Sequence, residues 1–84
     1  MKRHLYTVLG PRDAKRVAYA WNSARRGMAE IAREECRSRG WPEGAAVSAS
    51  TVEKADKWTH TGGTFTWSSL AGRGSFVITI TRAP

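Results

Sequence analysis

Six apolar residues, Ala14, Val17, Trp21, Ala24, Met28 and Ile31, follow one another at steps of 3, 4, 3, 4 and 3. That spacing lines one side of an α-helix and neither face of a strand. Boundary signals stand at both ends. Gly10-Pro11 breaks the preceding segment, with Pro at the first helical position and Asp13 in the first turn. Gly40 follows the last periodic residues, and Pro42 lies just beyond. The pattern predicts one long helix from about Pro11 to Arg39, continuous through Asn22-Ser23. Gly27, which costs about 1 kcal/mol against Ala, marks the place where it would kink.

A helix with one apolar stripe needs a second layer to cover it. The rest of the chain supplies strand patterns. Leu5–Leu9 is rich in β-formers, Ala46–Val52 is a weaker run of Ala and Ser, and Phe76–Thr81 is the last strand. Lys57–Thr61 and Thr64–Ser68 flank Gly62-Gly63, which reads as a two-residue hairpin turn. That turn would pair Thr61 with Thr64, His60 with Phe65, Thr59 with Thr66 and Trp58 with Trp67. Trp58, His60, Phe65 and Trp67 would then share a face with Phe76, Ile78 and Ile80, covering the helix. Val77, Thr79, Thr81 and the hairpin threonines would form the other face, turned to water or to a partner. Trp41, after the helix stop, would cap the core or stand as an anchor for a partner. The expected fold is a single α+β domain over residues 1–84, order β-α-β-β-β, with one long helix packed on a small, mainly antiparallel sheet.

Charge points to the class of partner. Fourteen Lys and Arg stand against seven Asp and Glu, a net charge of +7. Such a surface favours polyanions and steers acidic proteins toward it. On the expected helix, the outer face carries Arg12, Lys15, Arg16, Tyr19 and Arg26. Three cations in the first turns oppose the helix dipole and make a positive site beside free backbone N–H groups. An aromatic ring among them suits stacking on an exposed base. The C-terminal half would neutralise itself through Arg26–Glu30, Glu30–Arg33 and Glu30–Glu34–Arg37 spacings. Arg73, between Gly72 and Gly74, adds a guanidinium on a short loop.

Several chemistries lack their residues. No P-loop or dinucleotide-binding glycine pattern is present. Cys36, His4 and His60 have no zinc-finger spacing, so no metal and no cofactor is expected. One cysteine excludes an internal disulfide. No run of 18 apolar residues exists, and Leu5–Leu9 is too short for a signal-peptide core, so no membrane role and a cytoplasmic location are expected. The primary expectation is a non-enzymatic module that binds DNA, RNA or phosphate through Arg12, Lys15, Arg16, Tyr19 and Arg26, with Arg73 as an extra contact. The alternative is a small inhibitor or adaptor of phage or mobile-element type, anti-CRISPR- or antitoxin-like. It would dock on a protein with an acidic or nucleic-acid-binding surface. A third option is a basic ribonuclease toxin, with His60 or His4 as base and Arg73 or Arg16 stabilising charge. The apolar helix stripe would also serve a homodimer.

Overall fold

After its first strand the chain turns back on itself and does not enter a helix. The computed structural model describes residues 4–83. Strand β1 (Tyr6–Leu9) leads into a 3-10 turn at Pro11–Asp13 and then into strand β2 (Lys15–Ala18). Gly10 N–H donates to the Ala14 carbonyl at 2.9 Å, closing the reversal. Arg12 and Asp13 hold positive φ of 58° and 61° at its tip, a conformation that costs a non-glycine residue about 1–2 kcal/mol. Helix α1 therefore begins at Trp21 and runs to Ser38. The expected helical segment 11–20 is instead a turn and a strand. The physical reason lies in β1, whose outer edge would otherwise be bare; β2 pairs it, Leu9 to Lys15 and Tyr6 to Ala18. Val17 continued the helical spacing only by coincidence, and it lies 53% exposed on the sheet.

The remaining strands are β3 (Ala46–Lys54), β4 (His60–Ser69) and β5 (Ser75–Arg82). The sheet is antiparallel throughout, in the order β2-β1-β5-β4-β3. One helix lies on one face of it, an α+β domain. Gly62 and Gly63 are not a turn: they sit inside β4, paired with Glu53 and Val52 on one side and with Thr81 and Ile80 on the other. The two expected hairpin arms are therefore one strand, and the expected cross-strand pairs, Trp58 with Trp67 among them, do not form. A Cβ on Gly62 would stand 2.6 Å from the Ile80 carbonyl oxygen. The glycine is needed for close approach of two strands. The real reversal spans Ala55–Thr59, where the Asp56 carboxylate accepts the backbone N–H groups of Trp58 and Thr59 at 2.7 and 2.8 Å. Trp58 thus projects from a loop, 81% exposed.

The core follows the expected alternation elsewhere. Phe76, Ile78 and Ile80 are buried with Tyr6, Val8 and Phe65 under Ala24, Met28, Ile31 and Ala32. Val77, Thr79 and Thr81 take the outer face. A bulge between Glu53 and Lys54 resets the phase of β4, so His60 returns to the helix side and stacks on Trp21, centroids 4.4 Å apart and 7° from parallel. The helix runs unbroken through Gly27 and ends at Gly40, which adopts φ 74°. Trp41 is buried and caps the core against Phe76.

Candidate nucleic-acid interface

Helix α1 packs chiefly on β1, β2 and β5, and β3 is exposed along almost its whole length. Its two flanks differ in charge. Toward β2, Arg16 passes beneath Gly27, where a side chain would meet the Arg16 Cβ at 3.2 Å. From there it reaches Glu30 at 3.9 Å and Glu34 at 3.5 Å. At the helix end, buried Glu35 accepts a hydrogen bond from Arg39 Nε at 2.7 Å and lies 3.7 Å from Arg12 Nη2. Arg12 also donates to the Ser38 hydroxyl. The helix carboxylates are thus held by Arg12, Arg16 and Arg39. They do not neutralise Arg26, Arg33 or Arg37 as the spacing suggested. Among the described residues, no carboxylate lies within ion-pair distance of Arg25, Arg26, Arg33 or Arg37.

The flank toward β3 and β4 borders a groove. At about 100° per residue, Arg25, Ala29, Arg33 and Cys36 fall on that side, with Arg26 and Arg37 along the crest. The groove has a volume of about 730 Å³; Ala29, Ala32, Arg33, Cys36 and Arg37 wall it on the helix side, and Trp41, the loop through Ala46 with its Glu43 carboxylate, and Trp67 complete it. Trp67 stacks on Phe76 at 5.6 Å and 8°. Across from Trp67 and Phe65, strand β3 carries only Ser48 and Ser50. Phe65 is buried, and the small residues beside Trp67 leave its half-buried ring reachable from the β3 side. The Arg39 guanidinium lies over Trp41 and Phe76 at 5.5 and 5.2 Å. Burial, reinforced by Glu35 and opposed by Arg39, raises the Cys36 thiol above its ordinary pKa, so it stands in the groove wall as a neutral apolar group.

The six expected contact residues do not form one patch. Arg12 and Arg16 serve the fold. Lys15 is on the outer face of β2, away from the helix, and Tyr19, 62% exposed, lies in the link before α1. Arg26 is exposed on α1, as expected. Arg73 occupies the β4–β5 loop, whose Gly74 lies beside Arg39. The expected N-terminal cluster of helix cations is absent, since the helix starts after those residues. Arg25, Arg33, Arg37 and Trp67 were missed, although Arg25, Ala29, Arg33 and Arg37 recur at intervals of four.

The histidines occupy the opposite end of the sheet. His4 meets Tyr6 edge-on at 6.5 Å, Tyr6 meets Trp21 at 5.6 Å, and the Tyr6 hydroxyl donates to the His60 carbonyl. The arginines expected beside a catalytic histidine are elsewhere, Arg16 against Glu30 and Glu34 and Arg73 in the distant loop. At that same end, the Asp56 carboxyl is held below the usual carboxylate range by the two backbone N–H groups it accepts. Lys57 Nζ sits 4.9 Å over the Trp58 ring.

No protein-family model matches this chain, and comparisons with curated proteins and with solved structures return no match. Among the described residues, no helix is long and apolar enough to cross a membrane. The fold and the groove define the class: a basic α+β domain whose helix covers part of a five-stranded antiparallel sheet and walls a groove beside Trp67.

Proposed function

We propose that the protein binds nucleic acid, holding phosphates along the arginines of α1 and placing a base against the half-buried Trp67 ring beside them. The observation that carries this reading is the sorting of charge on one helix. Every helix carboxylate lies nearest a cation on the β2 side or at the helix end. Among the described residues, Arg25, Arg26, Arg33 and Arg37 have no carboxylate within ion-pair distance, and Arg33 and Arg37 wall the groove with Trp67. From Arg25 to Arg37 the helix rises about 18 Å, the length of about five phosphates along one strand at 3.4 Å each. Guanidinium forks suit phosphate oxygens, and an indole face suits a base of any identity. The reading therefore favours affinity with little sequence preference.

Fluorescence anisotropy with labelled single-stranded DNA, single-stranded RNA and duplex DNA, across a salt series, tests it. Four neutralised phosphates give a slope of about −2.8 in log affinity against log salt for a single strand. A fourfold rise in salt then weakens binding about 50-fold. Arg33→Ala/Arg37→Ala should flatten the slope to about −1.4, while Lys15→Ala, on the far face of the sheet, should leave it unchanged. Absence of binding at low salt, or an unchanged slope in the double variant, refutes the reading. A stoichiometric complex with a protein and no affinity for nucleic acid would put an inhibitor or adaptor in its place.

A further inference from the structure

The two edges of the sheet are unequal. Edge strand β2 has four residues, Lys15 and Arg16 among them, short and charged as a protected edge should be. Edge strand β3 has nine residues. From Ala46 to Val52 it reads Ala-Val-Ser-Ala-Ser-Thr-Val, with no charge, proline or glycine, and its only irregularity is the bulge at Glu53/Lys54. A long edge with seven successive uncharged residues is a template for another strand.

We infer that β3 pairs antiparallel with β3 of a second copy, giving a continuous ten-stranded sheet. The occupant is argued from charge and symmetry. On a chain carrying +7, Ala46–Val52 is an uncharged stretch of edge along which two copies meet without like charges opposed. A two-fold axis is the commonest way to close such a contact. For antiparallel neighbours in one sheet the axis stands perpendicular to it, which puts both helices on the same side. Beyond the groove, which the helix, Trp67 and the loop through Ala46 line, β3 is exposed along almost its whole length. In the dimer the second helix stands across that exposed strand, and the two arginine flanks face each other across a floor of β4, β3 and their mates. The β5 strands would be five spacings apart, about 24 Å, leaving a trough between helices of about 10–12 Å diameter. Its role as a nucleic-acid site rests on the reading above; the pairing itself does not.

Full overlap of the nine residues centres the axis on Ser50. Two facing Ser50 Cα atoms would lie about 4.5–5.5 Å apart, inside the range of about 4.4–6.8 Å that a disulfide spans. Ala49 would face Thr51 of the second copy on the outer side of the sheet, away from the groove. Three measurements test the pairing. Light scattering over a concentration series should show the mass rising from 9.3 kDa toward twice that value. Ser50→Cys in a Cys36→Ser background should form a covalent dimer on mild oxidation. Ala49→Lys/Thr51→Lys, checked for folding by circular dichroism, should remain a monomer, because like charges then stand directly opposed. Repulsion between the arginine flanks is relieved by a polyanion, so a single-stranded oligonucleotide should lower the protein concentration at which the dimer forms. A monomer throughout the series, with no crosslink through Ser50→Cys, overturns the proposal. If that monomer still binds nucleic acid with the salt slope given above, only the pairing fails. A dimer that binds no nucleic acid upholds the pairing and removes the function.

Discussion

Replacing Gly62 by alanine separates the two structural meanings of the Gly62-Gly63 pair. In a two-residue turn, alanine meets only a conformational penalty of about 1 kcal/mol. In the structure it meets a backbone atom as well. The added Cβ would stand 2.6 Å from the Ile80 carbonyl oxygen, whereas close carbon–oxygen contacts begin near 3.3 Å. Strand β5 must retreat by about 0.7 Å at the Gly62–Thr81 and Gly63–Ile80 pairs, or β4 must bow toward β3. Overpacking of this kind costs about 1–3 kcal/mol, so the total is about 2–4 kcal/mol. Gly40→Ala is the matched control, since Gly40 has φ 74° and nothing within 4 Å of an added Cβ. It should cost about 1 kcal/mol. Urea unfolding followed by circular dichroism reads both variants at a common slope. At about 6 °C per kcal/mol for a domain of this size, Gly62→Ala should also lower Tm by roughly 12–24 °C. Equal costs for the two variants would refute the steric argument and return Gly62 to a turn.

Two further perturbations follow from the groove wall. Glu35→Gln removes the charge that holds Arg39 at 2.7 Å and should cost about 1–2 kcal/mol in urea unfolding. Arg39→Gln should cost more than Arg12→Gln, because the Arg12 contact is longer, at 3.7 Å, and its side chain is 63% exposed. The Cys36 thiol, raised by burial and Glu35, should alkylate more slowly at neutral pH than an unfolded control and accelerate only at more alkaline pH. Because the unfolded chain gives up that proton first, the thiol's contribution to stability should be complete below the ordinary thiol pKa and lost as pH rises through the folded value. A bound single-stranded oligonucleotide should slow the alkylation further, since Cys36 lines the groove; an unchanged rate would place the ligand elsewhere.

What could be read from the sequence was whatever depended on local alternation and on helix termination. Phe76, Ile78 and Ile80 face the core, Gly40 ends the helix, and one helix on an antiparallel sheet follows from those patterns. The failures share a cause: each depended on a neighbour distant in sequence. Ala14 and Val17 kept helical spacing, but the bare edge of β1 drew Lys15–Ala18 into a strand. Gly62-Gly63 looked like a turn because no local signal reports the Ile80 carbonyl at 2.6 Å. The binding residues failed for the same reason. Arg12 and Arg16 looked free until the turn at Pro11–Asp13 set them beside Glu35 at the helix end and beside Glu30 and Glu34 on its β2 flank.

That rearrangement also explains why the groove is basic. Glu30 and Glu34 lie at helical contact spacing from Arg26, Arg33 and Arg37, so an isolated helix would balance much of its own charge. Pulling Arg16 beneath the helix turns those carboxylates toward β2. Glu35 is fixed at the helix end by Arg39, with Arg12 beside it. Beside Trp67 and Phe65 the edge strand carries only Ser48 and Ser50. Large side chains there would extend the core under the helix and close the groove. Small ones cost apolar burial in a domain that has little to spare. The groove and the arginines beside it are therefore two results of one arrangement, in which the β1–β2 hairpin sets cations against the carboxylates on one flank of α1 and leaves the other flank positive beside the half-buried Trp67.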